Sequence, residues 1–134
     1  MARKPTFWIK AKKELCLKDK KLGKIINKYP KDFLYSKSDP FKTLARSIIG
    51  QQISVKAAQS VWDRFEKKCK HVSPKRVLKL HHMTLKSCGL SHQKITYIKY
   101  LSNAFIDKTL DPSKWVELEN EEIISQLTKI KGIG

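Results

Sequence analysis

At 134 residues and a net charge of +17, from 29 basic and 12 acidic side chains, the chain fits one domain and favours polyanionic partners: nucleic acid first, an anionic membrane surface second. A hydrophobic content of 40% with only 5 Gly and 5 Pro excludes a disordered or fibrous chain. Cys16, Cys69 and Cys88 are odd in number, widely separated and without Cys-x-x-Cys spacing, which suggests neither a disulfide framework nor a zinc site and points to a reducing compartment.

All but four of the basic residues are lysines, the exceptions being Arg3, Arg46, Arg64 and Arg76. Codon bias in a genome also produces such a skew, so the charge supports a polyanion partner without selecting one. The N-terminal residues alternate lysine with apolar positions and lack the continuous apolar run of a signal peptide. No stretch approaches the roughly 18 apolar residues of a membrane span. A soluble intracellular protein, cytoplasmic or in the nucleoid, with no membrane partner, is expected.

Apolar residues recur at helical spacing almost throughout, and strand-like alternation is nearly absent, so the chain reads as all-α. Thr6 is expected to cap a first helix carrying Phe7, Trp8 and Ala11, and Asp19 a second carrying Leu22, Ile25 and Ile26 that ends near Tyr29-Pro30. Residues 1–38 form an N-terminal helical arm of a single 1–134 domain. Asp39-Pro40 pairs a capping carboxylate with a first-turn proline and starts a buried helix with Phe41, Leu44, Ala45, Ile48 and Ile49 inward.

Gly50 fits the C-terminus of that helix, and Gln51-Gln52-Ile53 is a tight turn before Ser54. Ser54 caps a helix with Val55, Ala58, Val61, Trp62 and Phe65 on one side. Ser73-Pro74 starts a short helix with Val77, Leu78 and Leu80, and Thr84 opens a single turn that closes at Gly89. Ser91 caps a longer helix whose buried stripe is Ile95, Ile98, Leu101 and Phe105, while Lys94, Lys99 and Lys108 face water or a phosphate backbone. Asp111-Pro112 begins the helix of Trp115. Asn120 caps the last one, with Glu121 and Glu122 at its positive end and Ile123, Ile124 and Leu127 inward.

The turn Ile130-Lys131-Gly132-Ile133-Gly134 follows directly. Two glycines around one apolar residue let the chain reverse without side-chain obstruction and leave backbone N–H groups open. With a second helix after them, those amides would form a phosphate site independent of base sequence. Taken alone, Gly-x-Gly after a helix also fits a plain C-terminal cap.

Three separated segments, in order, resemble the helix-hairpin-helix DNA glycosylase superfamily, in particular its 3-methyladenine glycosylase II branch: residues 39–58 (DPFKTLARSIIGQQISVKAA), 89–94 (GLSHQK) and 127–134 (LTKIKGIG). The resemblance runs from about residue 15 to the end. It implies an all-α helical bundle, incomplete at its C-terminus, that binds double-stranded DNA with damaged bases and is monomeric at full length. It implies that Gln52, in the Gln51-Gln52-Ile53 turn, wedges into the gap left by a flipped nucleotide, with Gln51, Ser54, Lys94, Lys131, Gly132, Ile133 and Gly134 also at the DNA. It further implies a monovalent cation on the carbonyls of Thr128, Ile130 and Ile133, and no other cofactor. Ordinary helix C-terminal bonding is the alternative for those carbonyls.

The chain departs from the family pattern in carrying Gln52 where some relatives have leucine, and Lys131 where proline is frequent. The resemblance places the catalytic aspartate beyond residue 134, so none of Asp39, Asp111, Glu121 or Glu122 is expected to do chemistry; each sits where a helix wants an acid. His71, His81, His82 and His92 lack metal-ligand spacing and are expected to have no catalytic role. The expected activity is excision of alkylated purines such as 3-methyladenine in base-excision repair, absent from these 134 residues alone. The faces carrying Ile123, Ile124 and Ile130 are expected to be uncovered. The alternatives are a non-catalytic helix-hairpin-helix DNA-binding module, an endonuclease III-like or adenine-glycosylase-like member, and a lysine-rich helical scaffold.

Overall fold

The computed structural model describes residues 3–134, whose regular structure is helical apart from one isolated antiparallel bridge, Arg3 with Ser36. The chain divides into two compact units, one ending at Ser38 and the other beginning at Asp39.

In the first unit, α1 (Trp8–Lys18) packs on α2 (Lys20–Lys28). The expected cap at Thr6 is displaced: Phe7 is the N-cap of α1 and its side chain makes no capping bond. Asp19 caps α2 as the sequence predicts, accepting from the N–H groups of Lys21 and Leu22 at 2.9 and 3.0 Å. The tail of the unit is tied back by Trp8 Nε1 to the carbonyl of Asp32 and by Lys12 Nζ to that of Pro30. No residue of α1 is fully buried.

The second unit is built on α3 (Pro40–Gly50), α4 (Val55–Cys69), α5 (Pro74–Lys79), α6 (His82–Ser87), α7 (His92–Ile106), a 3₁₀ segment (Pro112–Glu117) and α8 (Asn120–Thr128). Helix α7 is the hub, against which α3, α5 and α6 pack. Its inward residues Ile95, Ile98 and Leu101 meet Ile48 and Ile49 of α3 and Trp62 and Phe65 of α4 in one core. Burying aromatic and branched side chains is the main favourable term in such a fold, and the clean helical stripe on α3 and α7 is its sequence signature.

Asp39, Ser54, Ser73, Ser91 and Asp111 each accept a backbone N–H two or three residues on, so the caps read from the sequence hold. Several other expectations shift. Helix α6 begins at His82 rather than Thr84, and Asn120 lies inside α8, whose N-cap is Glu119; the carboxylate of Glu122 reaches back to the Glu119 N–H at 2.9 Å. The segment after Asp111-Pro112 is a 3₁₀ helix. Gly50 ends α3 without a left-handed turn, and a Cβ there would meet Ala58 Cβ at an ordinary contact distance of 3.7 Å, so the position does not demand glycine.

Val55 is 89% exposed, at the start of α4 and off its buried stripe. Ile124 is also outside, 58% exposed, whereas Ile130 is buried in the core. The last helix therefore presents Ile123 and Leu127, not Ile124, toward the interior, and the chain after it folds inward. Among the described residues no helix is long and apolar enough to cross a membrane.

Candidate nucleic-acid interface

Between α3 and α4 the chain reverses within three residues. Gln52 adopts a left-handed conformation, φ 57°, which costs a non-glycine residue roughly 1–2 kcal/mol and persists only where neighbours enforce it. Gln52 is exposed and the adjacent Ile53 is 40% exposed, so the tip points a polar and an apolar side chain outward.

Three bonds hold this tip. Lys94 Nζ donates to the carbonyls of Ile49 and Gln51, both at 2.8 Å, and Gln51 Nε2 donates to the carbonyl of Gly132 at 2.7 Å. Ile49 belongs to the last turn of α3, where carbonyls lack intrahelical partners, and a cation is favoured at that negative end. Partial burial of the Lys94 ammonium pushes its pKa below the usual lysine range. Lys94 is therefore turned inward onto the protein, not toward water as its position on α7 suggested. Ser54 caps α4 directly after the tip, its hydroxyl accepting from the Ala57 N–H at 3.1 Å.

The second turn follows α8. The Ile130 N–H donates to the Leu127 carbonyl and the Ile133 N–H to the Ile130 carbonyl, each at 3.0 Å, closing a turn whose third residue, Gly132, has φ 99°. Among the described residues no backbone acceptor takes the N–H of Gly132 or Gly134. Ile133 packs on the core and anchors the turn. Lys131 stays exposed, its ammonium 5.6 Å from the centre of the Tyr100 ring.

Tyr97 of α7, which the sequence did not single out, sets how close the turn can come. A Cβ on Gly132 would lie 2.5 Å from the Tyr97 ring, so only glycine fits there on both steric and backbone grounds. The Tyr97 hydroxyl accepts from Gln93 Nε2 at 2.6 Å. The signal that could have found Tyr97 is weak: it lies one turn beyond Gln93 and three residues past Lys94, on the α7 face that carries the tie to α3.

The two turns border one open cleft of about 520 Å³, lined by Gln51, Gln52, Gln93, Lys94, Tyr97, Gly132, Ile133 and Gly134. The structure thus brings together Gln51, Gln52, Lys94, Gly132, Ile133 and Gly134 out of the residues expected at a partner; Ser54 and Lys131 stand outside that lining. Among the described residues, no Asp or Glu side chain lines the cleft. Of the carbonyls considered for a cation, those of Thr128 and Ile133 accept no backbone N–H among the described residues, and that of Ile130 accepts one. Neutral oxygens with free lone pairs at a helix C-terminal end suit a monovalent cation by charge and donor type.

Three of the four arginines are used internally. Arg64 Nε donates to the Cys88 carbonyl at 2.9 Å, Arg76 Nε to the Cys69 carbonyl at 3.1 Å, and Arg46 bonds Gln59 while stacking over Trp62. His82 and His92 face each other, ring nitrogens 3.4 Å apart, away from any acid or thiol cluster; no group of three or more metal-ligating side chains occurs among the described residues.

Fold and site together define an all-α protein with two tight turns, one holding a left-handed Gln52 and the other a positive-φ Gly132, fastened side by side on one helix. Residues 45–133 match the HhH-GPD superfamily of base excision DNA repair proteins, and the chain belongs to that family. It is 31% identical over 119 residues to DNA-3-methyladenine glycosylase 1 of Schizosaccharomyces pombe, an alignment covering 86% of this chain and 52% of that protein. The crystal structure of a DNA-3-methyladenine glycosidase from Bacillus halodurans superposes with a TM-score of 0.71 at 33% identity, over 74% of this chain and 46% of that one. The S. pombe 3-methyladenine DNA glycosylase in complex with abasic DNA superposes with a TM-score of 0.82 at 28% identity, over 93% and 64%. The chain thus spans about half to two-thirds of the length of these relatives.

Proposed function

We propose that this chain is the duplex-gripping part of a base-excision DNA glycosylase of the 3-methyladenine glycosylase II type, acting on alkylated purines. The observation that carries the reading is the bond from Gln51 to Gly132, which fastens the exposed Gln52 tip to the glycine turn at one cleft. The free N–H groups of Gly132 and Gly134 serve one DNA phosphate, with Lys131 adding charge, while Gln52 and Ile53 enter the space left by an extruded nucleotide. Extrusion is needed because the glycosidic bond of a stacked base is out of reach, and a positively charged alkylated base is already a good leaving group. A polar Gln52 can also hydrogen-bond the orphaned partner base. A monovalent cation held by the carbonyls of Thr128, Ile130 and Ile133 would add positive charge behind the phosphate.

Lys94 and Gln51 act in this reading by holding the tip, and Ser54 by fixing the helix that follows it. The partner is double-stranded DNA, the protein is monomeric and intracellular, and no membrane is involved. Support comes from the family membership and from the likeness to a structure bound to abasic DNA.

The test is equilibrium binding to two duplexes, one intact and one with a tetrahydrofuran abasic analogue. The abasic duplex is expected to bind more tightly, and the preference to fall in Gln52→Ala. Equal affinity for both duplexes would leave a non-specific DNA-binding module, and no binding at low salt would end both DNA readings.

A further inference from the structure

Lys94 is a surface-patterned residue with a partly buried head. It sits in the first turn of α7, yet its ammonium reaches carbonyls that lie 45 and 43 residues earlier in the chain, one on each side of the α3 terminus. Between those carbonyls and Ser54 lies a single strained residue, Gln52. From this arrangement we infer that Lys94 is a positioning residue for the proposed DNA-penetrating tip: a latch that holds Gln52 in its left-handed conformation before DNA arrives.

The inference rests on the duplex-gripping reading and deepens it. Without a donor across the end of α3, the carbonyls of Ile49 and Gln51 turn to water, and Gln52 relaxes toward the ordinary negative-φ regions that glutamine prefers. Relaxation re-aims the side chain. A wedge that must be reordered on DNA loses affinity only where it is inserted, so the loss is confined to the gapped duplex. The Gln51–Gly132 bond fixes the tip from the other side, and Lys94 is the one charged contact in the set. The depressed lysine pKa agrees with an ammonium drawn out of water into this contact.

The experiment compares the chain with Lys94→Met, Lys94→Arg and Lys94→Gln. Binding is measured to an intact duplex and to one holding the tetrahydrofuran analogue opposite 2-aminopurine, whose emission reports insertion beside the orphaned base. Lys94→Met, which removes both charge-assisted hydrogen bonds, is expected to lower the abasic preference at least about tenfold and to abolish the emission change. Lys94→Arg, which keeps two donors, retains both. Lys94→Gln, with a shorter single amide, falls between, and it decides the matter if Lys94→Met does not fold. Preference unchanged in Lys94→Met or Lys94→Gln would overturn the latch. So would a salt dependence of binding shallower by about one phosphate contact in Lys94→Met, because that places the ammonium on DNA.

Amide exchange across Gln51–Ser54, measured without DNA, separates the latch from the functional reading. It is expected to quicken in Lys94→Met, and unchanged exchange overturns the latch whatever the DNA results. Faster exchange in a protein whose unsubstituted form shows no abasic preference would keep the latch and remove the wedge role it serves.

Discussion

Gly132 and Gly134 look equivalent in the sequence and are opposite in the fold. Gly132 has φ 99° and would place a Cβ 2.5 Å from the Tyr97 ring, whereas a Cβ on Gly134 meets nothing within 4 Å. Gly132→Ala is therefore expected to destabilise the protein by at least the roughly 1–2 kcal/mol of a left-handed alanine, with the ring clash in addition, and Gly134→Ala by nothing measurable. Parallel thermal melts of the two variants check this, and equal melting temperatures would contradict the turn geometry. The three cysteines divide the same way. Burial pushes the Cys69 thiol up to about 11 and raises Cys88 as well, while Cys16 is only partly covered. Cys16 is expected to react first with a thiol reagent at neutral pH. The folded pKa of Cys69 is raised, so the stability it confers is complete below 9.0 and is lost as pH climbs toward 11, which alkaline urea melts would register. At this scale the turn itself was legible because Gln51-Gln52 falls between two strong helix signals. Tyr97 and the inward turn of Lys94 were not, since their partners lie about 35–45 residues away in the chain and helical periodicity carries no information about what an adjacent turn contributes.

Helix boundaries were legible where a side chain dictates them. Asp39-Pro40, Ser54, Ser73-Pro74, Ser91 and Asp111-Pro112 each combine an oxygen acceptor with a backbone that cannot or need not continue, and each is a cap in the structure. Thr6, Thr84 and Asn120 offered the same oxygen but lost to neighbours. At α8 the reason is visible: Glu122 closes back on the Glu119 N–H, which fixes the N-cap one residue before Asn120. Ser54→Ala is thus expected to cost about 1 kcal/mol, and Asn120→Ala, now at an exposed first-turn site, less than half of that. Glu122→Ala removes the bond that sets the boundary and is expected to cost more than Asn120→Ala. Urea denaturation of the three variants orders them, and a larger loss for Asn120→Ala than for Glu122→Ala would return the cap to Asn120. In the second unit, burial faces followed the periodicity except at Val55, the first residue of α4, and Ile124, in the middle of α8. Val55 and Ile124 fit the stripe by counting but sit where the helix surface has no neighbour to cover it.

Across the whole molecule, the charge of +17 and the ordering of the acids bear on the same question. With Arg46, Arg64 and Arg76 engaged internally, polyanion contact falls to Arg3 and the lysines, and the lysines act as point charges on phosphate and read no base. Binding to duplex DNA is accordingly expected to weaken steeply with salt, each phosphate contact contributing about −0.9 to the logarithmic slope. Chemistry is a separate matter. Excision of an alkylated purine needs a carboxylate near the sugar, either to stabilise its developing positive charge or to activate water. Of the acids near helix starts, Asp19, Asp39 and Asp111 accept backbone N–H groups, and Glu122 closes on Glu119. Glu66 pairs with Lys42, Asp63 with Gln59, and none of them lines the cleft. A grip without an acid holds the duplex and leaves the glycosidic bond intact. These 134 residues, incubated with methylated duplex DNA, are therefore expected to release 3-methyladenine no faster than the uncatalysed background while still preferring the abasic duplex in binding. Chromatography of the freed bases measures the first and titration the second. Release well above background would require an acid within reach of the sugar and would move the reacting site away from the cleft that Gln52 and Gly132 define.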